Sequence, residues 1–305
     1  MGQFQPLARG VWGILATPFR GDDLVVDTES IERLVELYRT AGASGVVALG
    51  VLGEAARLSS AERRLVLRTV VDAAAGLPVI AGMSATSTAP AMEEAGYAAE
   101  AGAHAVMVLV NRSDAERVAA HLQRIALSCG LGIVLQDHPT TTGVTIAPSS
   151  LARAVRDSGV VVAVKAEAPP TAPTIAAVAA EVEVPVFGGW GGVGLLDELL
   201  AGSAGAMTGF AVPEALIATV GAWQRAGYEA ARDAYLPWLP LVLFESQDKV
   251  SLALRKEILR RRGLIAEAHV RAPGLAMPAS LYRALDAHLG AVEMPSGLPA
   301  QSVSR

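Results

Sequence analysis

A lysine ends a wholly apolar run of the sequence. Residues 160–164 read Val-Val-Val-Ala-Val, and Lys165 follows them directly. An ammonium group at the end of a buried strand is costly to desolvate, so burial favours the neutral amine. A neutral amine in a dry pocket attacks a ketone and forms an iminium, which is a Schiff base. The alternative is a structural lysine that reaches towards solvent or pairs with Glu167.

A second polar cluster, Gln136, Asp137 and His138, ends another apolar run and precedes Pro139. Alternate residues of an extended segment face the same way, so we expect Gln136 and His138 on one side and Asp137 on the other. An amide, a carboxylate and an imidazole can hold a water or move protons, which makes all three candidate catalytic residues beside Lys165. The alternative is a polar loop capped by Pro139. The cluster has too few ligands for a metal, and we expect no metal site.

Two glycine-containing segments are candidate substrate contacts. Gly50-Val51-Leu52-Gly53-Glu54 allows close backbone approach and offers N–H groups to a carboxylate, although it can also be an ordinary turn. The segment 188–192, Gly-Gly-Trp-Gly-Gly, either binds phosphate or, as we favour, leaves room for the tail of a substrate. The candidate substrate-binding residues are Thr17, Val51, Leu52, Gly53, Glu54, Glu167, Gly189 and Trp190.

These residues follow short apolar runs that alternate with helical patterns. Eight strands buried on both faces, with helices between them, predict a (β/α)8 TIM barrel, whose active site collects at the C-terminal ends of the strands. A doubly wound sheet is the alternative, but no G-x-G-x-x-G follows the first run. The predicted strands are Val11–Thr17, Gly45–Leu49, Pro78–Ala81, Ala105–Val110, Gly132–Gln136, Val160–Lys165, Val184–Phe187 and Ala204–Thr208. The predicted helices between them include Ser30–Thr40, Ala61–Ala75, Ala89–Ala101, Asp114–Ser128 and Pro148–Asp157.

The chain is expected to divide into three parts. Residues 1–212 form the catalytic barrel, residues 213–293 form a helical extension packed on it, and residues 294–305 form a flexible tail rich in Ser, Pro and Gly. No strand pattern follows Pro213. Helical periodicity returns in Glu214–Arg225, Tyr228–Phe244, Gln247–Arg262 and Pro278–Leu289.

Composition narrows the class of protein. The 305 residues are 52% hydrophobic and 18% charged, which predicts a large core. A net charge of −5 without a basic stripe argues against nucleic acid as a partner. The single cysteine, Cys129, excludes an internal disulfide, and the N-terminal residues lack the apolar stretch of a signal peptide. No uninterrupted apolar run is long enough to span a membrane. We therefore expect a cytoplasmic protein without membrane partners.

Together these segments resemble the dihydrodipicolinate synthase / N-acetylneuraminate lyase family of class I aldolase-like enzymes. The resemblance covers nearly the whole chain in the right order. It implies a (β/α)8 barrel, a Schiff-base lysine at Lys165, a small 2-oxo acid substrate, no cofactor, and a homo-oligomer, either a tetramer or a dimer. The residues that carry it are Thr17-Pro18-Phe19, Gly50 to Glu54, Pro139 with Thr142-Gly143, Lys165, and Arg271 with Pro273.

The departures from the family pattern point to a divergent member. The family usually has a tyrosine at Gln136, where the phenol relays a proton during imine formation and to the substrate oxygen. Dihydrodipicolinate synthase itself and ordinary sialic acid lyase are therefore disfavoured. The other replacements are Val51-Leu52 for a threonine pair, Thr141 for an arginine, and Leu109-Val110 for an aromatic pair.

The missing phenol favours one reaction over the others. Retro-aldol cleavage needs a base at the C4 oxygen, whereas loss of water needs a base at C3 and an acid at the leaving hydroxyl. The sequence therefore predicts a hydro-lyase (dehydratase) acting on a 2-oxo-3-deoxy sugar acid, resembling the family's 2-keto-3-deoxyarabonate dehydratase branch. The alternatives are a 2-oxo acid aldolase, a dihydrodipicolinate synthase-like condensing enzyme, a deaminase of a cyclic imine, or a catalytically silent 2-oxo acid binding protein.

Overall fold

Eight parallel strands form a barrel in the computed structural model, which describes residues 4–295. The strands follow the order β10-β1-β4-β5-β6-β7-β8-β9, and a bridge between Gly188 and Ala206 joins the two ends. The predicted (β/α)8 TIM barrel is thus confirmed. The strands are β1 Gly10–Ile14, β2 Phe19–Arg20, β3 Val25–Val26, β4 Gly45–Ala48, β5 Val79–Gly82, β6 Ala105–Leu109, β7 Gly132–Asp137, β8 Val161–Ala166, β9 Val186–Phe187 and β10 Gly205–Thr208.

Helices follow the strands on the outside and continue beyond the last one. Several short 3₁₀ turns, among them Val51–Gly53 and Trp190–Gly192, lie where strands end. The helices are α1 Thr28–Ala41, α2 Ser60–Ala73, α3 Thr88–Glu100, α4 Ala115–Cys129, α5 Pro139–Thr142, α6 Pro148–Ser158, α7 Thr171–Ala179, α8 Leu195–Leu200, α9 Pro213–Ala226, α10 Tyr228–Tyr235, α11 Leu239–Glu245, α12 Ser251–Arg261 and α13 Tyr282–Gly290.

Alternation along the strands creates two apolar layers. One set of side chains, including Trp12, Ile80 and Phe187, packs together as one cluster that fills the barrel. The side chains on the opposite face of the strands, including Val46 and Val106, pack in a second cluster beneath the helices. Because both faces are buried, each strand reads as a continuous apolar run, and this explains why the strands were visible in the sequence.

Side chains cap the starts of two of the predicted helices. Ser59 and Glu62 form a reciprocal capping box at α2. Asp114 accepts a hydrogen bond from the Arg117 backbone N–H at 2.9 Å and caps α4. These caps set where each helix begins after its strand.

The division at residue 212 stays a prediction. Helix α9, which follows it, packs against β1 and α1 and so completes the ring of helices around the barrel. The flexible tail predicted over 294–305 lies outside the described residues except for its first two positions. Within residues 4–295 no helix has the length and apolar character that a membrane crossing needs.

Two local predictions need correction, and one element was missed. The predicted helix Tyr228–Phe244 is divided into α10 and α11 by a 3₁₀ turn. The predicted helix Gln247–Arg262 begins only at Ser251, because Lys249 adopts a left-handed conformation with φ of 64°. The hairpin formed by β2 and β3 was not predicted, since its strands are two residues long. The second correction matters most, because residues 246–250 become a loop beside the site.

Candidate active site

Lys165 lies near the C-terminal end of β8 and faces a cavity of about 490 Å³. Its neighbour across the parallel ladder is Gln136 on β7. The lysine is 5% exposed, and its Nζ atom lies 3.0 Å from Oε2 of Glu167. The ion pair that was the structural alternative for Lys165 is therefore present. Because both partners line the cavity, the pair is also in reach of a small molecule.

Glu167 is the centre of the polar network around the lysine. Its Oε2 atom accepts a hydrogen bond from Gln136 Nε2 at 2.7 Å. The backbone N–H of Trp190 donates to Oε1 at 3.3 Å, and the indole N–H donates to the Glu167 carbonyl at 2.8 Å. These contacts hold a buried carboxylate against the amine, in a position to take protons from it and return them.

His138 faces the same carboxylate oxygen. Its Nε2 atom lies 4.0 Å from Oε2 of Glu167, and its ring stacks on Trp190 with 5.8 Å between centroids. The backbone N–H of Thr141 donates to Nδ1 at 3.2 Å. A neutral imidazole with an occupied Nδ1 lone pair carries its hydrogen on Nε2. His138 therefore presents a hydrogen-bond donor to the cavity beside Glu167.

The carboxylate of Asp137 does not join this group. Gln136 and His138 line the cavity and Asp137 does not, as expected for alternate residues of a strand. Among the described residues neither of its carboxylate oxygens has a hydrogen-bond partner. Burial, with a smaller contribution from the charge of Glu167, raises the pKa of Asp137 to about 6. The structure thus separates Asp137 from the other predicted catalytic residues.

A second buried carboxylate, Glu198 on α8, lies behind the segment 188–192. The Thr171 hydroxyl donates to its Oε1 at 2.7 Å, and Oε2 has no partner within residues 4–295. Burial raises the pKa of Glu198 to about 7. The hydrogen bond from Thr171 lowers this pKa, and the nearby charge of Glu167 raises it further. A Cβ atom at Gly188 would lie 1.7 Å from Glu198 Oε2, so only glycine fits there. This contact was not predicted from the sequence.

The segment 50–54 lines the cavity with its first three residues, and the carboxylate of Glu54 points away from the cavity. Gly50, Val51 and Leu52 line the cavity. The N–H groups of Val51 and Leu52 open the 3₁₀ turn and donate to no described acceptor, which leaves them available to a carboxylate. Glu54, by contrast, points away, and its Oε1 atom lies 2.5 Å from Lys256 Nζ.

Two further predicted residues of this region serve the loop itself. Thr17 donates its hydroxyl hydrogen to the Gly53 carbonyl at 2.6 Å and does not line the cavity. The Gly53 N–H closes the turn on the Gly50 carbonyl at 2.9 Å. Thr17, Gly53 and Glu54 therefore hold the segment in its conformation, and Val51 and Leu52 are the residues that line the cavity.

The segment 188–192 holds Trp190 over the cavity. Trp190 has φ of 48°, an uncommon value for a bulky residue, and its two hydrogen bonds to Glu167 maintain it. A Cβ atom at Gly189 would lie 2.0 Å from Glu167 Oε1, so glycine permits the close approach. The Gly191 N–H donates to Thr208 Oγ1 at 2.8 Å. Since these N–H groups have acceptors and a carboxylate lies against them, the segment does not offer a phosphate site.

The sequence missed the part of the cavity wall that comes from the C-terminal helices. Arg255 on α12 lines the cavity and is 4% exposed. Ser246, Asp248 and Ser251 line it too, from the loop that replaces the predicted start of α12. The polar run at 246–251 within an otherwise helical pattern was the available signal. Thr208 and Thr140 complete the polar wall.

No cluster of three or more His, Cys, Asp or Glu side chains able to hold a metal occurs in the described part of the chain. The groups around Lys165 are instead an amine, a carboxylate, an amide and an imidazole. This set can form an imine and move protons about it.

Comparisons with known proteins agree with this geometry. A model of the dihydrodipicolinate synthetase family matches residues 7–292. The chain is 30% identical to the 4-hydroxy-tetrahydrodipicolinate synthase of Methanopyrus kandleri, over 82% of this chain and 86% of that protein. The same enzyme of Methanothrix thermoacetophila is 37% identical, but that match spans only 50% of this chain and 52% of that protein. The L-2-keto-3-deoxyarabonate dehydratase of Azospirillum brasilense is 28% identical over 88% of this chain and 89% of that protein.

A solved structure extends the agreement to the fold. The dihydrodipicolinate synthase from Rhodopseudomonas palustris has a TM-score of 0.88 and 30% sequence identity to this chain. The match covers 96% of this chain and 100% of the other.

Proposed function

The chain belongs to the dihydrodipicolinate synthetase family, and we propose that within it the protein is a hydro-lyase that removes water from a 2-oxo-3-deoxy sugar acid. Members of this family are lyases and synthases that use a lysine Schiff base, and the chain is an enzyme of that class. The proposal assigns the Schiff base to Lys165 and the proton transfers to Glu167.

The observation that carries the proposal is the pair of groups nearest to Lys165. Gln136 takes the place at which the family usually has a tyrosine, and its amide has no titratable proton. None of the five tyrosines lines the cavity. Tyr235, which lies behind the segment 188–192, donates its hydroxyl hydrogen to the Gly192 carbonyl at 2.6 Å. The side chains that face Lys165 thus lack a phenol, and Glu167 is the proton carrier in contact with the amine.

Imine formation uses Lys165 and Glu167 alone. Glu167 accepts a proton from the Lys165 ammonium, and the neutral amine attacks the C2 carbonyl of the substrate. Glu167 returns this proton to the C2 oxygen, then takes a second proton from the attached nitrogen and passes it to the same oxygen. The oxygen leaves as water and gives the iminium. The N–H groups of Val51 and Leu52 hold the C1 carboxylate during these steps. The balance is one water released for each imine formed.

Elimination then uses the same carboxylate. The iminium makes the C3 protons acidic, and Glu167 removes one to give an enamine. Glu167 donates this proton to the C4 hydroxyl, which leaves as water while the enamine returns to a conjugated iminium. The Nε2–H of His138 hydrogen-bonds the departing oxygen. Hydrolysis of the iminium releases the dehydrated 2-oxo acid and restores the Lys165 amine.

The test is to incubate the purified protein with 2-keto-3-deoxypentonates and identify the products by mass spectrometry. Dehydration gives a 5-hydroxy-2-oxo-3-enoic acid, which tautomerises to 2-oxoglutarate semialdehyde, and this semialdehyde is the expected product. Pyruvate with glycolaldehyde would instead mean aldol cleavage and would overturn the hydro-lyase assignment. Absence of any borohydride-trapped adduct with pyruvate would favour a 2-oxo acid binding protein without activity.

A condensing activity is the second candidate, because the chain is similar to two synthases, to one of them over most of its length and to the other over half of it. Its test is the consumption of pyruvate together with aspartate semialdehyde. The loss of the phenol at Gln136 and of the hydroxyls at Val51 and Leu52 predicts turnover far below that of the dehydration.

A further inference from the structure

Arg255 is a buried cation that faces the cavity from the side of the C-terminal helices. It projects from α12 to the ends of β1 and β10, where it contacts the region of Ile14 and Gly209. A Cβ atom at Gly209 would lie 2.4 Å from Arg255 Nη1, so glycine makes room for the guanidinium. The steps of imine formation and elimination leave this residue without a role.

The hydrogen bonds of Arg255 use only part of its guanidinium. Nε donates to Glu245 Oε1 at 2.6 Å. The other oxygen of Glu245 accepts the Ala211 N–H at 2.9 Å, so this glutamate is not placed to take the Nη fork. Within residues 4–295, the buried Nη1 atom has no hydrogen-bond partner. Nη1 is closed off against Gly209, whereas Nη2 takes part in no described hydrogen bond, so Nη2 is the nitrogen left for an acceptor that enters the cavity.

The surroundings of Arg255 suit the far end of a molecule attached to Lys165. Arg255, Lys165 and the residues Val51 and Leu52 line one cavity. Its volume of about 490 Å³ falls within the roughly 300–1,000 Å³ of small-molecule sites, so there is space beyond a three-carbon acid. Val51 and Leu52 already provide N–H donors for the C1 carboxylate. The guanidinium therefore remains for a second acidic group.

The chemistry of the wall favours a carboxylate at that position. The charged guanidinium forms a stronger hydrogen bond with a carboxylate oxygen than with a neutral oxygen. Ser246 and Ser251 line the same cavity. Asp248 brings an opposing charge, but this residue is exposed at the rim, where solvent weakens its effect.

We infer that Arg255 binds a carboxylate at the far end of the substrate, so that the substrate is a 2-oxo-3-deoxy sugar acid with a second acidic terminus. This inference rests on the proposed function and specifies its substrate class. Arg255 then favours diacids, and 2-keto-3-deoxypentonates, which end in a hydroxymethyl group, are dehydrated but more slowly.

The first experiment uses the wild-type chain and pairs of 2-oxo acids of equal length. Borohydride trapping with 2-oxoglutarate is compared with 2-oxopentanoate, and 2-oxoadipate with 2-oxohexanoate. A charge-assisted bond to a buried guanidinium predicts half-maximal trapping of at least one diacid at about 10- to 100-fold lower concentration than its partner. Equal trapping within both pairs overturns the inference. A failure to trap any 2-oxo acid, pyruvate included, would instead overturn the proposed function.

The second experiment removes the guanidinium without leaving an unpaired glutamate. The Arg255→Gln, Glu245→Gln double variant is expected to trap each diacid and its partner alike while it still traps pyruvate. The matched control is Arg262→Gln, Glu214→Gln, which removes another ion pair of the same helical region, joined at 2.5 Å and outside the cavity wall. The control is expected to keep the wild-type preference.

Two outcomes of the variant experiment contradict the inference. If the Arg255 double variant keeps the diacid preference, the guanidinium does not bind the far carboxylate. If it loses pyruvate together with the diacids and its melting curve remains that of a folded protein, Arg255 binds the C1 carboxylate instead. Should the double variant not fold, Arg255→Lys keeps a charge beside Glu245 and removes Nη2, and it is judged by the same loss of preference.

Discussion

Lys165 and Lys256 are both buried, and each lies beside a glutamate, yet their surroundings differ. Lys165 faces the cavity together with Glu167, Gln136 and His138. Lys256 is 0% exposed and does not line that cavity. Its Nζ atom lies 2.5 Å from Glu54 Oε1 and 2.6 Å from the His269 carbonyl, and it lies over the Phe19 ring.

Burial alone therefore does not define the reactive lysine. Burial lowers the pKa of Lys256 to about 8, against the opposing effect of Glu54, so its neutral form is within reach near neutral pH. No substrate can approach it, because its side chain is fully buried and does not line the cavity. Its acceptors instead join α12 and the segment around His269 to the loop that carries Glu54. What distinguishes Lys165 is access to a cavity and a carboxylate free to exchange protons there.

The largest expected effect is the loss of the Lys165 amine. Lys165→Arg keeps the charge beside Glu167 but cannot form an imine, so we expect dehydration to fall at least about 10⁴-fold. Lys256→Arg is the matched control, and this variant should still form the borohydride-trapped adduct with pyruvate. Steady-state turnover with the best 2-keto-3-deoxy acid measures the effect. If the Lys165→Arg variant keeps more than a few per cent of wild-type turnover, Lys165 is not the reactive lysine of the pair.

Removal of the proton carrier comes next. Glu167→Gln keeps the hydrogen bond to Gln136 possible but cannot accept a proton, and we expect kcat to fall about 10²- to 10⁴-fold. The informative readout is exchange of the pyruvate methyl protons with deuterated water, which reports deprotonation at C3. This exchange should be lost, and the trapped adduct should still form but more slowly, because Glu167 also carries protons during imine formation.

Asp137→Asn is the control for Glu167, because it removes a buried carboxylate that does not line the cavity. We expect it to exchange the methyl protons at close to the wild-type rate. The reverse result, with exchange lost in Asp137→Asn and kept in Glu167→Gln, would move the base from Glu167 to Asp137.

Disruption of the Lys256 pair should affect stability and leave chemistry intact. Glu54→Gln leaves the buried Lys256 ammonium without its carboxylate, and breaking such a pair costs about 3–5 kcal/mol of unfolding free energy. Urea unfolding measures this loss, and trapping at low temperature checks that Lys165 still reacts. Glu181→Gln, which removes an exposed pair with Arg156, should cost at most about 1 kcal/mol. If the Glu54→Gln protein is folded but no longer forms the adduct, Glu54 contributes to substrate binding, as the sequence predicted.

The smallest effect concerns the buried carboxylate of Glu198. Its pKa of about 7 lies above the ordinary value of 4.5, so the folded state holds the proton more tightly than the unfolded state. Its contribution to stability is therefore complete below pH 4.5 and is lost as pH rises through 7. Glu198→Gln should become more stable than the wild type with rising pH, by at most about 3 kcal/mol. Unfolding free energies at pH 5 and pH 8 measure this, and a difference that does not change with pH would contradict it.

The sequence predicted the barrel because its strands are buried on both faces and stand out as apolar runs. Lys165 was visible for the same reason, as a charge at the end of such a run. The hairpin β2–β3 was not, since two residues are too short to show a pattern. The orientation of Gln136 and His138 followed from strand alternation, which is a local property.

The rest of the site depends on contacts between distant parts of the chain. Glu54 was assigned to the substrate because of its place after Gly53, but its partner Lys256 lies 202 residues further on. Arg255 was read as part of a packing helix, because nothing local tells that α12 reaches the ends of β1 and β10. Periodicity reports which face of an element is apolar and not what that face meets.

The central claim is that the imine forms on Lys165 and on no other lysine. The direct measurement is to trap the wild-type protein with pyruvate and borohydride, digest it, and locate the adduct by peptide mass spectrometry. The chain has only three lysines, at 165, 249 and 256, so the assignment is unambiguous. We predict a single adduct on the peptide that contains Lys165. An adduct on Lys256 or Lys249, or none on any lysine, would contradict the account.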